Sequence, residues 1–207
     1  MNLPTKEEIE KLWDEYHVPG NVRAHSRQTA KVAVFLAKKL NEKGIDVNTE
    51  LVEMAALLHD LTRTANFENF DMQKGATKED AEFWKKLKQK YGNMHHADSA
   101  ANLLKEKYPE VAEVIRTHTI ENQRKGLLGK SWEIKLLNYA DTRVLHDKIV
   151  SIEDRFKDTR QRHGWFFEKL HNETGIRYRD IIEENMRRLE KNIFEHIDIK
   201  PEDINRL

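Results

Sequence analysis

The chain has 207 residues, 36 basic and 36 acidic, and no cysteine. That length suits one domain with a substantial core rather than two. Balanced charge supplies no field that would draw the protein onto nucleic acid or an anionic membrane, and the missing thiols exclude a disulfide scaffold, thiolate metal sites and a thiol nucleophile.

Met1-Asn2-Leu3-Pro4 leads into a charged helix rather than a signal peptide, and no apolar run approaches the ~20 residues of a membrane span, so a cytoplasmic protein is expected. Thr5 followed by Glu8 reads as a capping box opening a helix that runs to about His17, where Pro19-Gly20 breaks it. A second helix spans about Val22 to Glu42, with Gly44 as its stop signal. The third starts near the N-cap Asn48 and ends at His59-Asp60. Residues 62–94 are less regular: a loop carrying Phe67 and Phe70 precedes a charged helix from about Asp80 to Lys90. After Gly92 a helix runs from about His95 to Lys107, and Pro109 opens the next, which carries Val111, Val114 and Ile115. Gly126 and Gly129 mark a loop, and Trp132 to about Ile149 reads as helix. The rest, 151–207, reads as charged helices with breaks at Gly164 and Gly175. The expected fold class is all-α, one domain over 1–207 with its core at about 20–160 and additional helices from 161 to 207.

The third helix is apolar on nearly every side, Leu51-Val52-Glu53-Met54-Ala55-Ala56-Leu57-Leu58, which marks it as buried. Its end therefore carries His59 and Asp60 inward, and a buried carboxylate is costly unless it is paired or binds a metal. Four further residues face apolar stripes at helical spacing. His25 aligns with Thr29, Val32 and Leu36; His96 with Ala100, Leu103 and Leu104; His118 with Val111, Val114 and Ile115; Asp141 with Ile134, Leu137, Val144 and Leu145. A lone histidine on such a stripe is usually a hydrogen-bonded core residue, and a buried Arg would satisfy Asp141 alone. Five inward polar stripes would need five separate explanations, whereas one metal centre accounts for all of them. His17, His146, His163, His171 and His196 lie in charged surroundings and read as surface or local packing residues, with His146-Asp147 on exposed helix. His95 adjoins His96, which fits the apolar face better.

Imidazole with carboxylate suits Fe, Mn, Co, Ni or Zn, while calcium demands more oxygen ligands. Three or four protein ligands per ion leave positions for water and substrate. Two ions sharing a carboxylate would generate a bridging hydroxide and clamp the oxygens of an in-line displacement at phosphorus.

The order His25, His59-Asp60, Asp141 resembles the HD-domain metal-dependent phosphohydrolases over roughly residues 20–160. The resemblance implies an HD-domain-like helical bundle. His96 and His118 stand where binuclear members of that family add two histidines. The stretch from His96 to Ala101 is similar to the His-Gly-x-x-Gly-Ala of the HD-type symmetrical dinucleoside tetraphosphatases, without its glycines; His118-Thr119 and Ala140-Asp141 also resemble that branch. The Gly-Tyr-Pro of cyclic-di-GMP phosphodiesterases is absent, and Leu61-Thr62-Arg63 replaces the Glu-Asp of alarmone hydrolases. The resemblance further implies that His25, His59, Asp60 and Asp141 hold one divalent transition-metal ion and His96 and His118 a second. Asp60 would bridge the two, and the nucleophile would be a metal-activated hydroxide.

Phosphoryl charge calls for nearby cations. Arg63 and Arg143 are the nearest in sequence and, with Asp60, form the catalytic candidates; a surface salt bridge is the alternative role for either arginine. Phe67 and Phe70 would cover a nucleobase or pack on the core. Arg155, Arg160 and Arg162 near Trp165 and Phe166 are diluted by Glu153, Asp154 and Asp158, which favours a solvated helix over a nucleic-acid surface. The expected function is hydrolysis of a phosphate ester or anhydride of a small nucleotide. The alternative is a catalytically silent nucleotide-sensing or interaction module. The sequence leaves a homodimer open.

Overall fold

The computed structural model describes residues 1–68 and 75–207; Phe70 lies outside them. Helix α1 (Lys6–Glu15) begins at the capping box, where the Glu8 N–H donates to Thr5 Oγ1 and the Thr5 N–H to Glu8 Oε2. Helix α2 (Gly20–Glu42) packs along α3 (Thr49–Leu58), with Val32, Ala33, Leu36, Ala37 and Leu40 set against Val52, Ala55, Ala56 and Leu58. Each large aliphatic side chain so buried contributes roughly 1.5–3 kcal/mol.

Beyond α3 come a short 3-10 turn (Arg63–Asn66), then α4 (Lys78–Tyr91), α5 (His96–Leu104), α6 (Pro109–Arg116), α7 (Ile120–Lys125) and α8 (Trp132–Thr142). Helices α6 and α8 both pack on α3, which is why α3 carries scarcely any polar surface. Trp84 of α4 donates its Nε1–H to the His17 carbonyl and ties α4 to the end of α1. Two long helices, α9 (Ile152–Thr174) and α10 (Tyr178–Phe194), and a final 3-10 turn (Pro201–Arg206) complete an all-α bundle. Among the described residues no helix is long and apolar enough to cross a membrane.

The structure departs from the sequence reading in four places. Helix α8 stops at Thr142 instead of continuing to Ile149, and a minimal hairpin follows: β1 (Val144–Leu145) against β2 (Lys148–Ile149), with Val144 opposite Ile149. The β-branched Val144 and Ile149 suit paired strands, and His146 turns the chain with φ +58. His146-Asp147 is therefore the tip of a hairpin rather than exposed helix. Gly164 does not break α9, since a glycine inside a helix costs only about 1 kcal/mol. Gly175 does end that helix, at φ +71, donating its N–H to the His171 carbonyl. Finally, α5 ends at Leu104 rather than Lys107, and the short α7 lies just ahead of the Gly126 loop.

Arg143 is the principal correction among the candidate catalytic residues. Its side chain is 1% exposed, and none of its polar partners is a candidate ligand. The guanidinium donates to the Val150 carbonyl, to Tyr139 Oη at 2.6 Å, to the Pro201 carbonyl and to Asn205 Oδ1 at 2.7 Å, with Glu190 at 3.7 Å. It fastens the hairpin and the C-terminal turn to α8. Replacing Arg143 with Leu should lower stability by about 2–4 kcal/mol in urea denaturation, because several buried acceptors lose their donor together. An unchanged denaturation midpoint would contradict that role.

Candidate metal centre

Six candidate ligands come from five helices and the turns at their ends. His25 lies in the second turn of α2 and Asp141 in the last turn of α8. His59 and Asp60 follow the last residue of α3, His96 is the first residue of α5, and His118 occupies the turn between α6 and α7. Chain reversals at these ends let short side chains reach one interior point. His59, Asp60, His96, His118 and Asp141 are buried, and His25 sits at the rim.

The two carboxylates organise the histidines. Asp141 Oδ1 lies 2.8 Å from His25 Nε2 and 3.5 Å from His59 Nε2, while its Oδ2 lies 3.6 Å from His118 Nε2. Asp60 turns Oδ2 to His59 Nε2 at 3.7 Å and Oδ1 to His96 Nε2 at 3.1 Å. Backbone carbonyls set two of the rings: His59 Nδ1–H donates to Ala56 at 2.7 Å, and His25 Nδ1–H to His146 at 2.8 Å. With Nδ1 engaged, each ring directs Nε2 inward, the arrangement by which outer hydrogen bonds orient metal-ligating histidines.

The electrostatics favour positive charge at this point. Burial alone would lower the His59 pKa, yet Asp60 and Asp141 outweigh it and hold the ring up to about 9. Burial would raise Asp141, but His118, His25 and His59 keep its carboxyl well below the usual range; Asp60 is likewise lowered against burial by His59, Arg63 and His25. Burial, reinforced by Arg63, holds His96 far down and keeps it neutral, while burial and His118 bring His95 to about 4.

Four buried atoms of the cluster have no hydrogen-bond partner among the described residues: His59 Nε2, Asp60 Oδ1, His96 Nε2 and His118 Nδ1. Each unsatisfied group costs about 1–3 kcal/mol, so four in one place ask for a common partner. Ligand bonds of about 2.0–2.2 Å set neighbouring donor atoms about 3–3.5 Å apart, close to the separations above. His25, His59 and Asp141 bring ligand atoms within 4.8 Å of one another, as do His59, Asp60 and His118. The residues fit a divalent metal centre. His96 belongs to neither triplet, although its Nε2 approaches Asp60.

The family model for the HD domain matches residues 22–159, a span that begins just ahead of His25 and closes after Asp141. The chain belongs to the HD domain family. Membership implies divalent-metal binding and metal-dependent phosphohydrolase chemistry in general. No curated protein and no solved structure gives a significant match to this HD domain.

Around the cluster, Arg63 is half-buried and donates Nη1–H to His96 Nδ1 at 2.8 Å, so of the two arginines the fold brings only this one to the site. Phe67 packs partly buried against the core. His95 caps α5, its Nδ1 accepting the Ala97 N–H. Several contributors were not read from sequence. Thr62 Oγ1 meets Ser99 Oγ at 2.7 Å and donates to the His96 carbonyl, pinning α5 to the segment after Asp60. Asn66 accepts the His96 N–H, and the His146 carbonyl orients His25. Asn66 follows Arg63 by three residues, the spacing that shares a face in a 3-10 turn, and this was the available signal.

A ligand that binds only the folded state stabilises it by about 2.7 kcal/mol at a hundredfold excess over Kd, which for a chain of this size raises Tm by about 5–10 °C. Manganese(II) should produce such a rise in the wild type and little in Asp141→Asn. Equal rises in both proteins, followed by calorimetry, would place the ion elsewhere.

Proposed function

We propose that this HD domain hydrolyses a phosphate ester or anhydride of a small nucleotide, using two divalent ions held by His25, His59, Asp60, His96, His118 and Asp141. The observation that supports this reading is the division of each carboxylate: Asp141 faces His25 and His59 with one oxygen and His118 with the other, and Asp60 faces His59 and His96. Such division would suit a pair of neighbouring ions, with Asp60 contributing to both. Iron, manganese, cobalt, nickel and zinc all accept this donor set. When bound, the ions supply Lewis acidity that acidifies water and polarises phosphoryl oxygens.

The chain's own groups do the positioning. Asp60 presents an oxygen on each side of the cluster, and the carbonyls of Ala56 and His146 keep His59 and His25 turned inward. Arg63 stands at the rim on His96, where its guanidinium can turn to donate to phosphoryl oxygens. The balanced net charge favours a small substrate over a nucleic acid. The alternative, a silent nucleotide-sensing module, is favoured by His96 standing outside both triplets.

A phosphate-release screen across nucleoside mono- and triphosphates and dinucleoside polyphosphates, run with added manganese, tests the proposal. Release from one class is expected, falling at least about 1000-fold in Asp60→Ala while far-UV circular dichroism is retained. Metal-loaded protein that binds nucleotide without releasing phosphate would favour the silent module. Full activity in Asp60→Ala would defeat the assignment.

A further inference from the structure

Arg63 and Asn66 compete for one atom. The 3-10 turn places residues three apart on one face, and both side chains reach His96 Nδ1. The Arg63 Nη1–H donates to it at 2.8 Å, and Asn66 Oδ1 lies 3.3 Å away. The Asn66 amide is locked, because Nδ2 donates to the Met94 carbonyl at 3.0 Å while Oδ1 accepts the His96 N–H at 2.9 Å. Oδ1 therefore faces the ring as an acceptor.

The two partners demand opposite tautomers. A guanidinium can only donate, so under Arg63 the Nδ1 of the neutral ring holds a lone pair and the hydrogen sits on Nε2. That hydrogen points into the cluster, where Nε2 lies 3.1 Å from Asp60 Oδ1 without hydrogen-bond alignment, leaving both atoms unsatisfied. Under Asn66 the Nδ1 carries the hydrogen, and the Nε2 lone pair is available to a metal. His59 and His25, whose Nδ1 atoms face only carbonyls, have no such competitor.

We propose that Arg63 and Asn66 form a selector on His96 Nδ1 that couples filling of the second metal position to arrival of a phosphate group. An anion at the rim draws Arg63 off the ring; Nε2 gives up its hydrogen, Nδ1 takes one to share with Asn66, and no net proton is gained or lost. His96 then offers Nε2 beside Asp60 Oδ1. Arg63 acts here as a positioning residue, through His96. This inference rests on the two-ion reading above, but its first test needs neither metal nor turnover.

Long-range nitrogen-15 correlation spectra of the metal-free protein report which nitrogen of His96 bears the hydrogen. The wild type should show protonated Nε2, and Arg63→Met protonated Nδ1. Titration with manganese, read by electron paramagnetic resonance, should then show the second ion binding about 10-fold tighter in Arg63→Met than in wild type, the scale of effects from groups that orient ligands. Inorganic phosphate should tighten the second ion in wild type and leave Arg63→Met unchanged. Asn66→Leu should behave oppositely, keeping Nε2 protonated and the second ion weak with or without phosphate. A wild-type His96 already protonated at Nδ1, or one tautomer shared by wild type and Arg63→Met, would overturn the selector while leaving the hydrolase reading intact.

Discussion

Two carboxylates lie buried among four histidines, and neither could stand there alone. Asp60 and Asp141 are each about nine-tenths buried and lie within 4 Å of His25, His59, His96 or His118. Isolated charge in such a place would cost several kcal/mol, and removing a single partner would leave the remainder uncompensated. The cluster is coherent only as a set, and an arrangement that concentrates negative charge, inward nitrogens and unpartnered atoms is one suited to a cation.

The surrounding fold divides its labour accordingly. Helix α3 is the hub, apolar because α2, α6 and α8 cover it, and its end delivers His59 and Asp60 to the point where the other helices begin or stop. The hairpin after α8 looks incidental in length, yet its tip supplies the carbonyl that orients His25, across 121 positions of sequence. Arg143 keeps that hairpin and the C-terminal turn in place. The two arginines that flank ligands in sequence thus do different work: Arg143, itself buried, ties the scaffold together, and Arg63 meets the cluster at its rim.

Much of this was legible in the residues. The all-α class followed from helical periodicity, and the convergence of His25, His59, Asp60, His96, His118 and Asp141 followed from asking which polar residues share a face with apolar ones. That argument works because burial is periodic along a helix. It fails where the deciding contact is between elements. Leu145 and Ile149 sit at helical spacing, and only the pairing of Val144 with Ile149 converts that stretch to a hairpin. Proximity in sequence likewise said nothing of Arg143, whose partners are Tyr139, the hairpin and the C-terminal turn. Backbone acceptors such as the carbonyls of Ala56 and His146 carry no side-chain signature at all, and the role of Asn66 depends on a 3-10 turn that periodicity of 3.6 does not reveal.

If the buried cluster holds metal, elemental analysis of protein purified without chelator, and again after incubation with manganese, iron or cobalt, will find it. About two transition-metal ions per chain are expected, lost together when Asp60 or Asp141 is replaced. Protein that stays metal-free under every one of those conditions, while folded and monodisperse, would contradict it.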